Sequence, residues 1–289
     1  PHAATPPKVL SLGGAHRLRL PTMTEPPLET GWLPDTPVDD TLLQRFLHSQ
    51  ADHNSLVASA HSGRVERTDD VFLADANAPV PYYNEAILRR PVLDTDDPVL
   101  DVIDTFYESG GSGPRPATVL SIWPTPDLST RGWQLVGHPA IVVRAPAAQH
   151  HDPAPGVEIR RVSNAADLEV AEQVVIEGYP LDEARGLPAG SALPPALLSS
   201  ELVVRLGILD GVPVAAGNVL VAHGLVNLAL GATLPAARRR GVWEALVWAR
   251  VAEAPDLPAV AYTSDFSRPG FIRMGFLPIT RFTLWTRHS

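Results

Sequence analysis

The sequence predicts an α/β (α+β) protein: a mixed, mostly antiparallel sheet flanked by helices in its C-terminal half, preceded by a smaller half of the same class. Three observations predict it. Residues 203–233 read as three strands joined by two tight turns. Asp210-Gly211 is a strong two-residue hairpin turn, because both central positions of such a turn want φ > 0, and His223-Gly224 turns the chain again. Residues 232–246 run from a strand end through a short basic loop with one glycine into an apolar-periodic helix. Residues 145–156 are rich in Pro, Ala and His and lack periodicity, which marks a linker.

The chain has 289 residues, more than one domain of about 150 residues requires. The reading is an extended N-terminal arm at 1–38, a first domain at 39–144, the linker at 145–156 and a second domain at 157–289. A hydrophobic content of 45% suffices for a real core. The net charge of −9 argues against general nucleic-acid binding, which wants a basic face. There is no cysteine, which excludes disulfides, thiolate metal sites and a cysteine nucleophile. His150 and His151 stand side by side without a carboxylate or third histidine at ligand spacing, so they read as solvated linker and no metal is expected. No secretory signal is visible, and a cytoplasmic protein is the expectation. Residues 211–237 carry no charge and are long enough to cross a bilayer. Pro213, Asn218, His223, Asn227 and several glycines break that stretch into short β pieces, so no membrane is expected.

The elements follow in order. Leu42, Leu43, Phe46 and Leu47 fall at helical spacing and predict a helix over 39–50, with Asp39 or Asp40 as N-cap. Ser62-Gly63 is a break. Strands are expected at 71–74 and 82–88. Asp97-Pro98 caps a helix carrying Val99, Leu100, Ile103, Phe106 and Tyr107. A loop at 110–116 leads to a strand at 117–123 and a last strand at 133–144, bent at 137–139. The second half begins with a strand at 157–162. Ser163 or Asn164 then caps a helix at 165–178. A Pro/Gly-rich connection at 179–200 holds one short helix. The three-strand meander follows, then the basic loop and a helix from 242 to 254, ended by Pro255 and Pro258. A strand at 260–263, a helical turn at 267–274 and a closing strand at 276–286 complete it.

The basic loop builds an anion site. The first N–H groups of a helix lack intrahelical partners, and the helix dipole adds partial positive charge there. Gly241 lets a phosphate approach the backbone, and Arg238, Arg239 and Arg240 surround it with charge.

This stretch resembles the pyrophosphate loop of the GNAT-superfamily acetyltransferases, Gln/Arg-x-x-Gly-x-Gly/Ala between a strand and a helix. Arg238 and Gly241 match its first two fixed positions, and Trp243 stands where glycine or alanine is usual. The order of elements over residues 156–287 is also similar to that family. Phe271-Ile272-Arg273-Met274-Gly275-Phe276 resembles its Tyr-x-Arg-x-Gly-Phe ending. The first half is read as a degenerate, GNAT-like unit of a tandem protein: Arg131-Gly132-Trp133 and the strand ending in Arg144 parallel Met274-Gly275-Phe276 and the strand running to Arg287. An unrelated α/β domain is the other reading of that half.

The resemblance implies an acetyl-CoA-dependent N-acyltransferase of bacterial type that uses acetyl-CoA or another acyl-CoA. The donor would enter between the strands at 226–233 and 260–263. Backbone near Gly231, Ala232 and Thr233 would pair with the pantetheine arm. The N–H groups of Arg239, Arg240, Gly241, Val242, Trp243 and Glu244 would hold the pyrophosphate. The family often protonates the leaving thiolate with a tyrosine where this chain has Phe271, so Ser264 is the candidate there, with Asp265 and Tyr262 nearby. Glu177 and His223 are candidate bases, and Tyr179 a candidate substrate contact. The partner would be a small-molecule amine, and a homodimer is compatible with the sequence. The alternative is a catalytically weak or inactive CoA-binding sensor or partner protein, which Trp243 and Phe271 favour.

Overall fold

The computed structural model describes residues 41–288 except 79, 109–115, 147–151 and 180, and these lie in one unit, Val38–Ser289. The arm, the Asp39 or Asp40 cap and the two linker histidines fall outside the described residues.

The first half runs α1 (Leu42–Ala60), β1 (Arg64–Arg67), β2 (Val71–Asp75), β3 (Asn84–Leu88), α2 (Pro98–Glu108), β4 (Ala117–Ser121), β5 (Gln134–Gly137) and β6 (Ala140–Arg144). The second runs β7 (Val157–Arg161), α3 (Ala165–Gly178), β8 (Val203–Leu209), β9 (Val212–Ala222), β10 (Leu225–Thr233), α4 (Val242–Val251), β11 (Ala259–Thr263), α5 (Arg268–Arg273), β12 (Leu277–Arg281) and β13 (Thr283–Arg287). Among the described residues no helix is long and apolar enough to cross a membrane.

α1 extends ten residues past the predicted end, to Ala60, because Ala51, His53, Asn54, Val57 and Ala58 are buried against the sheets. Its cap is Thr41, whose Oγ1 accepts from Gln44 N at 3.2 Å. Asn164 caps α3 as expected, its Oδ1 accepting from Asp167 N at 2.9 Å. Two short 3-10 turns, Asp182–Ala184 and Pro195–Ser199, replace the single short helix of the connection. β1 was not foreseen: all four of its residues are exposed, so it has no apolar alternation to read.

There are two sheets, ordered β1-β2-β3-β4-β13-β5 and β12-β6-β11-β10-β9-β8-β7. The strands read from sequence as single ones at 133–144 and 276–286 are each two strands, and each pair is split between sheets. β6 leaves its own half to pair with β11 and β12. β13 leaves its own to pair with β4 and β5. The exchange crosses the linker boundary. Its crossing point is local: Pro139 has no N–H to continue a ladder, and its carbonyl accepts from Phe282 N at 3.1 Å. The exchanged strands are the buried ones. β6 is buried throughout and β13 nearly so, while β5 and β12 are exposed edges.

Each exchanged strand ends in an arginine held by the opposite half. Arg144 lies over the Trp248 ring at 4.7 Å and donates Nε to Met274 O. Arg287 lies over Trp133 at 4.6 Å and donates to Asp104 at 3.1 Å. The two glycine turns paralleled in the sequence are both left-handed, Gly132 at φ 82° and Gly275 at φ 84°.

Candidate functional site

The site begins where two parallel strands part. β10 and β11 pair at Val226↔Ala259 and Asn227↔Val260 and nowhere beyond. β10 continues to Thr233 and β11 to Thr263, so a V opens between them toward the C-terminal end of β10. The antiparallel pairing of β10 with β9 is interrupted by a bulge between Ala229 and Ala232. Inside it Leu230 has φ 46°, a left-handed conformation that costs a branched residue roughly 1–2 kcal/mol. Leu230 and Gly231 are half-buried, while Ala232 and Thr233 are buried.

The V leads into the basic loop. A 3-10 turn, Pro235–Ala237, ends β10, and Gly241 at φ 83° is the N-cap of α4 with no side-chain cap bond. The first N–H groups of α4 have no intrahelical acceptor, and the positive end of the helix dipole lies with them. The three arginines do three different things. Arg238 is a brace: Nε donates to Thr233 O and Nη2 to Gly178 O, both at 3.2 Å. Arg240 pairs with Asp210 at 3.0 Å. Arg239 sits at φ 64° and is exposed, with no ion pair among the described residues. A Cβ on Gly241 would lie 3.0 Å from the Ala154 methyl.

No protein-family signature matches the sequence, and no curated protein matches it. Solved structures do. A GCN5-related N-acetyltransferase from Kribbella flavida superposes with a TM-score of 0.56 at 18% identity, covering 83% of this chain and 96% of its own. A putative GNAT-family acetyltransferase from Novosphingobium aromaticivorans gives 0.53 at 13% identity, covering 84% and 99%. A GCN5-related N-acetyltransferase from Sphaerobacter thermophilus gives 0.51 at 12% identity, covering 83% and 93%. This chain has the GNAT fold.

Within that fold the other predicted residues fall in unequal places. Trp243 does not line an open channel. Its indole packs against α5, where a Cβ on Gly270 would come within 2.6 Å of Cζ3, and it meets Phe271 edge-on at 4.9 Å. Its side chain therefore fills the cleft between α4 and α5, and only its backbone N–H remains at the helix end. Val242 is fully buried under the loop, and Glu244 is exposed in the first turn of α4. Phe271 is buried against Trp243 and Phe276. Ser264 follows β11 at the open end of the V, with its Oγ 3.2 Å from Ser267 Oγ. Asp265 is exposed and pairs with Arg268.

Glu177 lies exposed on α3 and accepts from Gln173. His223 does not reach the V. It sits in the turn before β10, at the end away from the opening, and its Nε2 is 2.7 Å from Asp52 on α1, a tie between the halves. Tyr179, at the C-terminal end of α3, is partly exposed, and burial of its hydroxyl pushes its pKa up. Tyr262 on β11 meets Phe282 edge-on at 5.4 Å, and burial pushes its hydroxyl well above the usual range.

A cavity of about 620 Å³ lies between α3 and residues 184–189 and touches Pro235 at the start of the basic loop. Glu169, Glu172 and Glu177 line its α3 wall, and Arg185 lines the facing segment. Glu172 was not foreseen. It is buried, and its carboxylate accepts from Gly190 N at 2.6 Å, Ala192 N at 2.5 Å and Leu193 N at 3.2 Å. It thereby ties the connection after α3 to the helix. Nothing in a glutamate at an apolar-spaced helical position signals that role.

A second unforeseen group lies beneath the apex of the V. Asn227 donates to Gln50 Oε1 at 3.3 Å, and Gln50 and Asn54 of α1 both donate to Glu85 Oε2, at 3.2 and 2.6 Å. Burial raises the Glu85 pKa to about 7. This polar seam joins the first half to the strand that opens the site.

Proposed function

We propose that the chain is an acyl-CoA-dependent N-acyltransferase whose donor site lies in the second half. The observation that carries the reading is the parting of β10 from β11 beside an uncapped, glycine-opened helix N-terminus. A strand edge with unpaired backbone suits an extended amide-bearing arm, which can add to it like another strand. The α4 terminus, Gly241 and Arg239 suit the pyrophosphate. Acetyl-CoA or another acyl-CoA would bring an activated thioester, so the protein needs only to orient the reactants and stabilise developing charge. A new C–N bond forms as the C–S bond breaks; the sulfur takes up a proton and the amine nitrogen gives up its own.

Glu169 and Glu177 on the α3 side of the cavity, with Arg185 facing them, favour as acceptor a small-molecule amine carrying positive charge. The first half we read as a GNAT-like unit in tandem, degenerate in its donor site. Its sheet repeats the antiparallel, parallel, antiparallel, antiparallel order of the other along β2-β3-β4-β13-β5 and β9-β10-β11-β6-β12.

A second reading, a CoA-binding sensor without turnover, is favoured by the Trp243 indole in the α4–α5 cleft and by Phe271. Calorimetric titration with acetyl-CoA, beside Gly241→Asp, tests the donor site. The substitution forces a side chain into a left-handed position and sets a carboxylate against the pyrophosphate. We expect binding weakened at least tenfold, about 1.4 kcal/mol or more. Absence of binding to the natural sequence would defeat both readings. A panel of amines followed by release of free thiol then separates enzyme from sensor. The chain has no cysteine to interfere with thiol detection.

A further inference from the structure

The described cation with the least solvent is Arg250, on the last turn of α4. It is 1% exposed, and among the described residues no carboxylate pairs with it. An unpaired guanidinium is expensive to bury, so its surroundings must answer it with oxygen atoms. They are all main-chain carbonyls. Nε donates to Leu246 O at 3.2 Å, and Nη1 donates to Asn218 O at 3.2 Å and Ala229 O at 3.1 Å.

The last two acceptors are not arbitrary. Asn218 and Ala229 are direct partners across β9 and β10, and theirs is the last regular pair before the bulge. Two glycines make the room. A Cβ on Gly217 would lie 2.8 Å from Nη1, and one on Gly231 would lie 2.8 Å from Nη2. The guanidinium therefore occupies the gap between β9 and β10 that the bulge opens, and it holds the Ala229 carbonyl from that side. In a planar trans peptide the C=O of one residue and the N–H of the next point opposite ways. With the Ala229 carbonyl held toward β9, the Leu230 N–H is turned toward the side from which β11 has parted. Leu230 is also the residue in the strained left-handed conformation.

We infer that Arg250 is a positioning residue: it shapes the β10 bulge so that the backbone N–H of Leu230 is presented to the carbonyl of a thioester in the V, with the guanidinium charge behind it. The inference rests on the acyl-CoA reading above and adds to it the residue that aims that N–H. Burial lowers the Arg250 pKa only to about 10, so the charge is present at neutral pH. Preorganised dipoles backed by a fixed charge in a dry site polarise a carbonyl without reorganising as it reacts.

The test needs no acceptor. Acetyl-CoA labelled with carbon-13 at the thioester carbonyl is bound to the full chain, and its stretching frequency is read by difference infrared spectroscopy. Wild type is compared with Arg250→Met, Arg250→Lys and Gly217→Ala. The expected result is a downward shift on binding to wild type. That shift is lost in Arg250→Met and reduced in Arg250→Lys and Gly217→Ala, while acetyl-CoA affinity stays within about threefold, because the pyrophosphate site is untouched. A role confined to stability would lower the melting temperature and leave the frequency of the bound donor where it was. An unchanged shift in Arg250→Met overturns the inference and leaves the acyl-CoA reading standing. If Arg250→Met does not fold, an unchanged shift in Gly217→Ala, which keeps the charge and displaces the guanidinium, overturns it equally. Failure of wild type to bind acetyl-CoA defeats the acyl-CoA reading and this inference together.

Discussion

The two strand–loop–helix passages of this molecule, β3 to α2 and β10 to α4, begin alike and end differently. Both leave a strand that is parallel to its neighbour, and both pass through arginines before a helix. In the first, β3 and β4 pair at three successive positions of five-residue strands, Glu85↔Thr118 to Ile87↔Leu120. In the second, pairing with β11 stops after two positions, and a nine-residue β10 runs on with only β9 beside it.

The arginines differ in the same sense. Arg90 is answered within its own half by both oxygens of Asp97, at 2.7 and 2.8 Å, and by Asp70 at 2.9 Å. Asp97 also accepts from Val99 N at the start of α2, so a carboxylate already sits where an external anion would bind. At α4 the corresponding cap is a glycine with no side chain. A strand–loop–helix passage is thus closed by internal acids in one half, and in the other it begins its helix at a glycine with no acid in that place. The difference lies in a few side chains rather than in the order of elements.

Three substitutions of first-half acids sharpen that comparison. The largest effect is expected at Glu85. Its folded pKa of about 7 stands above its ordinary 4.5 because burial disfavours the charge. The unfolded chain therefore releases this proton first. The carboxyl costs nothing below about pH 4.5, and the penalty grows as pH rises to about 7 and then levels off. Glu85→Gln should be more stable than wild type by roughly 3 kcal/mol above pH 7 and equal to it near pH 4. Urea unfolding across that range measures it; parallel curves would show that Glu85 is not buried as a titrating acid.

A smaller effect is expected at Asp104, which receives Arg131, Trp133 Nε1 and the exchanged-strand Arg287. Asp104→Asn leaves Arg131 with Asp101 alone and Arg287 with the more distant Glu108, and should lower stability by about 2 kcal/mol, because a partly buried network loses its central acceptor. Chemical denaturation reads it directly, and limited proteolysis should find the C-terminal strand first. A loss no larger than that of an exposed pair would mean that strand exchange does not depend on this anchor.

The smallest effect is expected at Asp97. Asp97→Ala removes the cap of α2, at about 1 kcal/mol, and leaves Arg90 with Asp70 alone. If the internal carboxylate is what keeps anions from the first half, phosphate should then raise the melting temperature of the variant more than that of wild type. Equal responses would place the difference between the halves in strand pairing alone.

Much of the fold was legible from short-range signals. The Asp210-Gly211 and His223-Gly224 turns both have φ > 0 at both residues, as that chemistry requires. Asn164 caps α3, Gly241 opens α4, and the paralleled glycines at 132 and 275 adopt the same conformation. Each is decided by residues within a turn of one another, so the sequence by itself determines them.

What only the tertiary structure decided is which partner each element meets. A wholly apolar strand such as β6 reads the same whichever sheet buries it, so the exchange with β13 has no local signature. Arg238 and Arg250 carry the same charge and the same propensity. One braces the basic loop and the other lies behind the opening of β10. Only the gaps left by Gly217 and Gly231, brought together across β9 and β10, create the space that draws Arg250 in. Likewise the carboxylate of Glu172 finds three N–H donors about twenty residues away only once the connection folds back on α3. Buried polar groups take their roles from donors and acceptors that the fold brings to them, and spacing along the chain does not record those.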